Sequence, residues 1–176
     1  MRLGEPGGDV LDLQVVGYEF ALRELGTELD EWDVNWLVIA GRVQLADGRT
    51  WRFRDPALLA GEAAELLSWL QDDVRLSPPM VADVVGTSGS DWPREADATG
   101  RHWLSFIEPT LAFATVRDEG EARLLVGLAL ECAEPAVDEA ADEPGWSVIS
   151  VPWSYETAQR AAVEWARQVQ AYPPRA

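Results

Sequence analysis

Residues 35–54, NWLVIAGRVQLADGRTWRFR, hold two period-2 runs a few residues apart. Alternation of this kind sends successive side chains to opposite faces of a strand, and so short a connection permits only an antiparallel hairpin. The turn Ala46-Asp47-Gly48 then decides the register. A two-residue Asp-Gly loop would pair Trp51 with Gln44 and Phe53 with Arg42. A three-residue loop with Gly48 in the left-handed region instead sets Trp51 beside Val43 and Phe53 beside Gly41. Only the second keeps one face apolar, so it is the predicted register. The first strand is apolar on both faces at its start, Trp36, Val38 and Ala40 against Leu37, Ile39 and Gly41, as a central, covered strand requires.

The same reading extends along the chain. Val10 to Gly17 puts Leu11, Leu13 and Val15 on one face of a strand. In FRDPALLAGEAAELLSWLQDD, Asp55 is the expected N-cap and Pro56 the first helical position. Leu59, Ala63, Leu66 and Leu70 then make one core-facing stripe. Residues 75–101, rich in Pro, Gly, Ser and Asp, read as an irregular excursion. Strands are predicted at Trp103–Ile107, at Leu111–Val116 and, after a turn at Glu119-Gly120, at Arg123–Cys132. A mobile acidic loop is expected at 133–145, then a last strand in GWSVISVPW. Ser154 caps a final helix running to Val169, with Ala158, Ala162, Trp165 and Val169 inward. The element F-x-[DE]-P-x-L occurs at Phe53–Leu58 and Phe106–Leu111, but the second copy enters a strand, which argues against a duplication. The expected fold is α+β, a single domain over 1–176: an antiparallel β-sheet of about six to seven strands with two amphipathic helices packed on it.

Composition narrows what such a domain does. There are 31 Asp and Glu against 14 basic residues, all Arg, for a net charge of −17. Nucleic-acid binding runs on Lys and Arg neutralising phosphates, so the balance argues against it, and equally against an anionic membrane surface. It favours solubility and steered encounter with a basic partner. With 47% hydrophobic residues and nine tryptophans, the chain has material for a sizeable core. Cys132 is alone, which excludes an internal disulfide, and neither an export signal nor a membrane span is legible, so a cytoplasmic protein is expected.

The search for chemistry returns little. ELDEWDVNW (Glu28 to Trp36) is crowded with acids but lacks the glycine and the spacing of a calcium loop. One Cys and one His (His102) cannot close a zinc site. GTSGS at 86–90 has the wrong spacing for a nucleophilic serine and, in a chain without lysine, no phosphate-cradle partner. No metal, cofactor or catalytic set is predicted. A hydrolase using carboxylates remains as an alternative motivated only by their abundance, and a scaffold or chaperone-like binding module as another.

DEWDVNWLVIAG, WRFRDPALL…ELLSWL, LSFIEPTLAF and the terminal YPPR, taken in order from about residue 11 to 175, resemble the WapI-type immunity proteins of bacteria. That family's pattern is matched by Asp33, Asn35, Trp36 and Leu37, by Phe53, Asp55, Pro56, Trp69 and Leu70, by Phe106, Glu108, Pro109, Leu111 and Phe113, and by Tyr172, Pro173 and Arg175. The resemblance implies a non-catalytic protein that neutralises the C-terminal toxin domain of a wall-associated or Rhs-type polypeptide. Such toxins are often nucleases, whose basic grooves an acidic surface can occupy. The family-matching residues then read as scaffold. Partner contacts are expected from Glu28, Asp30 and Glu31 around Trp32, and from the second acidic run, Glu131, Glu134, Asp138, Glu139, Asp142 and Glu143.

Overall fold

The computed structural model describes residues 1–20, 33–75, 103–118, 121–135 and 146–175. Its elements are β1 (Arg2–Leu3), β2 (Val10–Tyr18), β3 (Trp36–Gln44), β4 (Thr50–Leu59), α1 (Ala60–Arg75), β5 (Leu104–Ser105), β6 (Leu111–Asp118), β7 (Glu121–Ala129), β8 (Trp146–Pro152) and α2 (Tyr155–Ala171). The fold is α+β with two helices, and all described strand pairs are antiparallel. The strands do not form one sheet of six to seven. They divide into two four-stranded meanders, β1-β2-β3-β4 and β5-β6-β7-β8. Alternation fixes which face of a strand is apolar but not which sheet it joins, and here helix α1 breaks the succession after β4. The two F-x-[DE]-P-x-L copies fall in unlike places: Phe53–Leu58 lies within the last strand of the first sheet, and Phe106–Leu111 joins the first two strands of the second. Arg75, the first residue of the expected 75–101 excursion, ends α1 instead; the rest of the excursion, the Glu119-Gly120 turn and most of the 133–145 loop lie outside the described residues.

The β3–β4 hairpin has the expected register. Gly41 pairs with Phe53 and Val43 with Trp51, and Gly48 has φ +93°. Its N–H donates to the Leu45 carbonyl at 3.0 Å, while the Leu45 N–H donates to the Arg49 carbonyl at 2.9 Å. Gly41 is required by packing rather than by its backbone angles, because a Cβ there would overlap Cζ and Cε1 of the Phe53 ring.

Asp55 and Pro56 do not start the helix. β4 runs on through both of them to Leu59, and α1 begins at Ala60. Proline is tolerated because β4 is an outer strand, where a missing N–H need not break a ladder. Pro56 faces Val38 and Leu58 faces Leu37, so Ala57 is an extra, bulged residue. Across β3 the same level is bulged again: Val15 faces Ile39 and Gly17 faces Val38, leaving Val16 over. Bulges on both neighbours of one strand sharpen the twist at that end of the sheet.

Helix α2 has the predicted cap. The Ser154 side chain accepts from the Thr157 N–H at 3.2 Å, and the Thr157 hydroxyl accepts from the Ser154 N–H at 2.7 Å. Glu164 and Gln168, one helical turn apart, cover the open edge of the first sheet. Glu164 accepts from the Arg2 N–H and Gln168 from the Val15 N–H, each at 2.8 Å. The adjacent stripe of α2 buries Ala158, Ala161, Ala162 and Trp165, and the Trp165 indole N–H donates to the Ala63 carbonyl of α1 at 2.9 Å. Leu11, Leu13, Leu37 and Ile39 of the first sheet, Phe113, Val126 and Ile149 of the second, and both helices share one buried cluster. A 3₁₀ turn at Leu130–Cys132 reaches from the second sheet to the first, where the Trp51 indole donates to the Cys132 carbonyl at 3.1 Å. Trp103 covers the outer side of the second sheet against Ala112 and Ala114.

Candidate functional site

The bulged end of the first sheet gathers segments that are far apart in sequence. Asn35, in the 3₁₀ turn that opens β3, is buried and faces the chain's last described residues. Its amide accepts from the Arg175 N–H at 2.6 Å and donates to the Arg175 carbonyl at 3.0 Å, the double bond one strand residue would offer another. The Arg175 guanidinium lies 3.4 Å over the Tyr18 ring and donates to the Phe20 carbonyl at 2.7 Å. The Tyr18 hydroxyl donates to the Pro173 carbonyl, and its ring meets Tyr172 edge-on at 5.6 Å. Two of the ordered motifs, D-x-N-W-L and Y-P-P-R, are therefore halves of one clamp.

Beside this clamp, α1 begins at Ala60 with Leu59 in the capping position, and leucine has no side-chain acceptor to offer. Glu62, three residues on, supplies it: one carboxylate oxygen accepts from the Leu59 N–H at 2.8 Å. The other accepts from the Ile107 N–H at 2.7 Å, fastening the β5–β6 connection to the helix. Sequence reasoning missed this residue, although the Leu59-x-x-Glu62 spacing is half of a capping box. Between helix, connection and tail lies an open cleft of about 690 Å³, lined by Leu59, Phe106, Ile107 and Pro174 with Glu62 and Glu65, and, among the described residues, by no basic one.

Acids crowd the neighbouring strand ends. Partial burial, followed by the charges of Glu131 and Glu108, pushes the Asp55 carboxyl above the usual carboxylate range. Burial and the charges of Asp55 and Asp33 push Glu19 up in the same way. A raised native pKa means the folded chain holds that proton more tightly than the unfolded one. Stability is thus lost as pH climbs from the ordinary value of 3.8 through the raised one. Asp55→Asn is expected to be the more stable chain at pH 7, by about 0.5 kcal/mol, with the advantage closing below about pH 4. Urea midpoints at the two pH values measure it, and equal midpoints at pH 7 would contradict the crowding.

Positive charge collects elsewhere. Arg2, Asp12, Arg42 and Arg52 form one cross-strand row over the outer face of the first sheet, with Arg2 and Asp12 4.0 Å apart. Burial first, then the charge of Asp55, pushes the Cys132 thiol up to about 12, so it is protonated at neutral pH. Among the described residues no three His, Cys, Asp or Glu side chains are grouped to hold a metal ion, and no helix is long and apolar enough to cross a membrane.

Of the acids expected to touch a partner, Glu134 is described, half-buried and paired with Arg49 at 2.6 Å. Glu131 is exposed, in the 3₁₀ turn, and its charge acts on Asp55. Glu28, Asp30, Glu31, Trp32, Asp138, Glu139, Asp142 and Glu143 lie outside the described residues, as does His102. The motif residues are placed as scaffold: Phe53, Phe106, Leu111 and Phe113 are core, Trp69 packs against Phe113, and Asn35 holds the clamp.

A search among curated proteins finds none that matches this chain. The immunity protein WapI-like family model matches residues 2–173, nearly the whole of the sequence, ending two residues before Arg175 of the clamp. On that match, the chain belongs to the WapI-like family of immunity proteins.

Proposed function

We propose that this chain is a non-catalytic, single-domain immunity protein that works in the cytoplasm, where it binds and blocks a basic, nucleolytic toxin domain. The family match over residues 2–173 carries the reading. The net charge of −17 gives it a physical basis, since an acidic protein is steered onto a basic groove and competes there for the positions of phosphates. Crowded acids such as Asp55 add to this. Their mutual repulsion costs the free protein stability, and a cationic partner relieves it. Glu28, Asp30, Glu31 and Trp32, with Glu134, Asp138, Glu139 and Asp142, are the proposed partner contacts. Within this set Glu134 enters the complex only by sharing or leaving Arg49.

Co-expression with the C-terminal toxin domain encoded beside this chain tests the proposal. Growth rescue is expected, with a one-to-one complex whose association rate falls steeply as salt rises. Absence of rescue and of any complex would refute it. Broad, weak binding that ignores salt would instead favour a chaperone-like module. Reversing charge at Asp30, Glu31 and Glu139 together is expected to weaken the complex with little change in stability.

A further inference from the structure

Ile107 is 61% exposed, the most exposed of the large apolar side chains among the described residues. Its position is fixed, because its N–H is bonded to Glu62 while Phe106, the residue before it, is buried in the core. An apolar side chain held out from a rigid backbone costs little further ordering when something packs on it. It stands at the cleft bounded by the start of α1 and the clamped tail, whose wall at Pro174 is held by the two hydrogen bonds between Asn35 and Arg175.

Among the described residues, the charged side chains that line this cleft have one sign. Glu62 accepts two main-chain N–H groups and has no ion pair among the described residues. Glu65 is exposed one turn further along α1, and Glu108 follows Ile107 directly. Arg175, the arginine of the tail, is turned away onto Tyr18. We infer that the cleft between α1, the β5–β6 connection and the clamped tail is a docking surface for a protein segment that presents an apolar side chain beside an arginine or lysine. The apolar group packs on Ile107, Leu59 and Phe106, and the cation meets the carboxylates of Glu62 and Glu65. This rests on the immunity reading and names contact residues other than those of the acidic runs at 28–32 and 134–142.

The test uses the full chain and the toxin domain encoded beside it, with binding measured by titration calorimetry and rate constants by surface plasmon resonance. Ile107→Arg is expected to weaken the complex by about thirtyfold or more, mainly through faster dissociation. Glu65→Arg is expected to slow association by about fivefold. Val148→Arg is the control: an equally radical change at a 44%-exposed residue on the outer strand β8, expected to leave affinity within about twofold. All three positions are exposed, and far-ultraviolet circular dichroism checks that each variant is folded. Unchanged affinity in Ile107→Arg, or an equal loss in Val148→Arg, overturns the docking site and leaves the immunity reading standing. Failure of the wild-type chain to bind or rescue at all overturns both.

Discussion

Trp165→Ala is expected to lower the unfolding free energy by about 3–5 kcal/mol, a large share of the roughly 5–15 kcal/mol that a domain has. Trp165 is wholly buried. It fills the space where α2 crosses α1, and its indole N–H is bonded to the Ala63 carbonyl at 2.9 Å. Truncation leaves a void that two packed helices cannot close without sliding on the sheet beneath them. Trp165→Phe separates the two contributions. It keeps most of the apolar volume and loses the donor, so a smaller loss of about 1–2 kcal/mol is expected. Urea unfolding followed by far-ultraviolet circular dichroism suits the comparison, because eight other tryptophans would blur a fluorescence signal. A loss below about 1 kcal/mol for the alanine variant would mean that the helices are not held together through this side chain.

Gly41→Ala has the second largest expected effect, a loss of about 2–3 kcal/mol. The new methyl carbon would fall within the Phe53 ring, far inside van der Waals contact with Cζ and Cε1. The ring has little room to withdraw, being buried in the core. Nor can the backbone shift freely, since Gly41 is paired with Leu13 on one side and with Phe53 on the other. A double-mutant cycle with Phe53→Leu isolates the contact. The smaller side chain should be destabilising alone and less so, or favourable, in the Gly41→Ala background. Strict additivity of the two losses would show that ring and glycine do not meet.

Gly41 also shows what a sequence discloses. Its place opposite Phe53 followed from counting residues around Gly48, since a turn type and a two-residue period leave one register with an apolar face. Ser154 was legible for the same reason: a cap acts on the residues beside it. Asp55-Pro56 misled because the pair is locally as good a helix start as it is a bulged outer strand. The choice was settled by the β3 ladder and by Glu62 capping from inside the helix. The division into two sheets was hidden because no local pattern says which strands of a chain become neighbours across a helix. The Asn35–Arg175 clamp spans 140 positions, and only the order of motifs hinted at it. The Leu59-x-x-Glu62 spacing hints at the cap, but nothing in the sequence shows that the other oxygen of Glu62 bonds the Ile107 N–H, 45 residues on.

The way α2 closes the first sheet carries a consequence for synthesis. The Val15 N–H waits for its partner in α2, and about 100 residues separate the end of β4 from the start of that helix. At about 5–20 residues per second, that helix leaves the ribosome roughly 5–20 s after the strands it covers. For that interval the β1–β4 meander has an unfinished edge and an apolar face without its lid. Those are the features that invite aggregation and chaperone capture. The nascent chain therefore spends its most exposed seconds before Trp165 is made, and a stop anywhere between β4 and α2 releases a fragment with its core open.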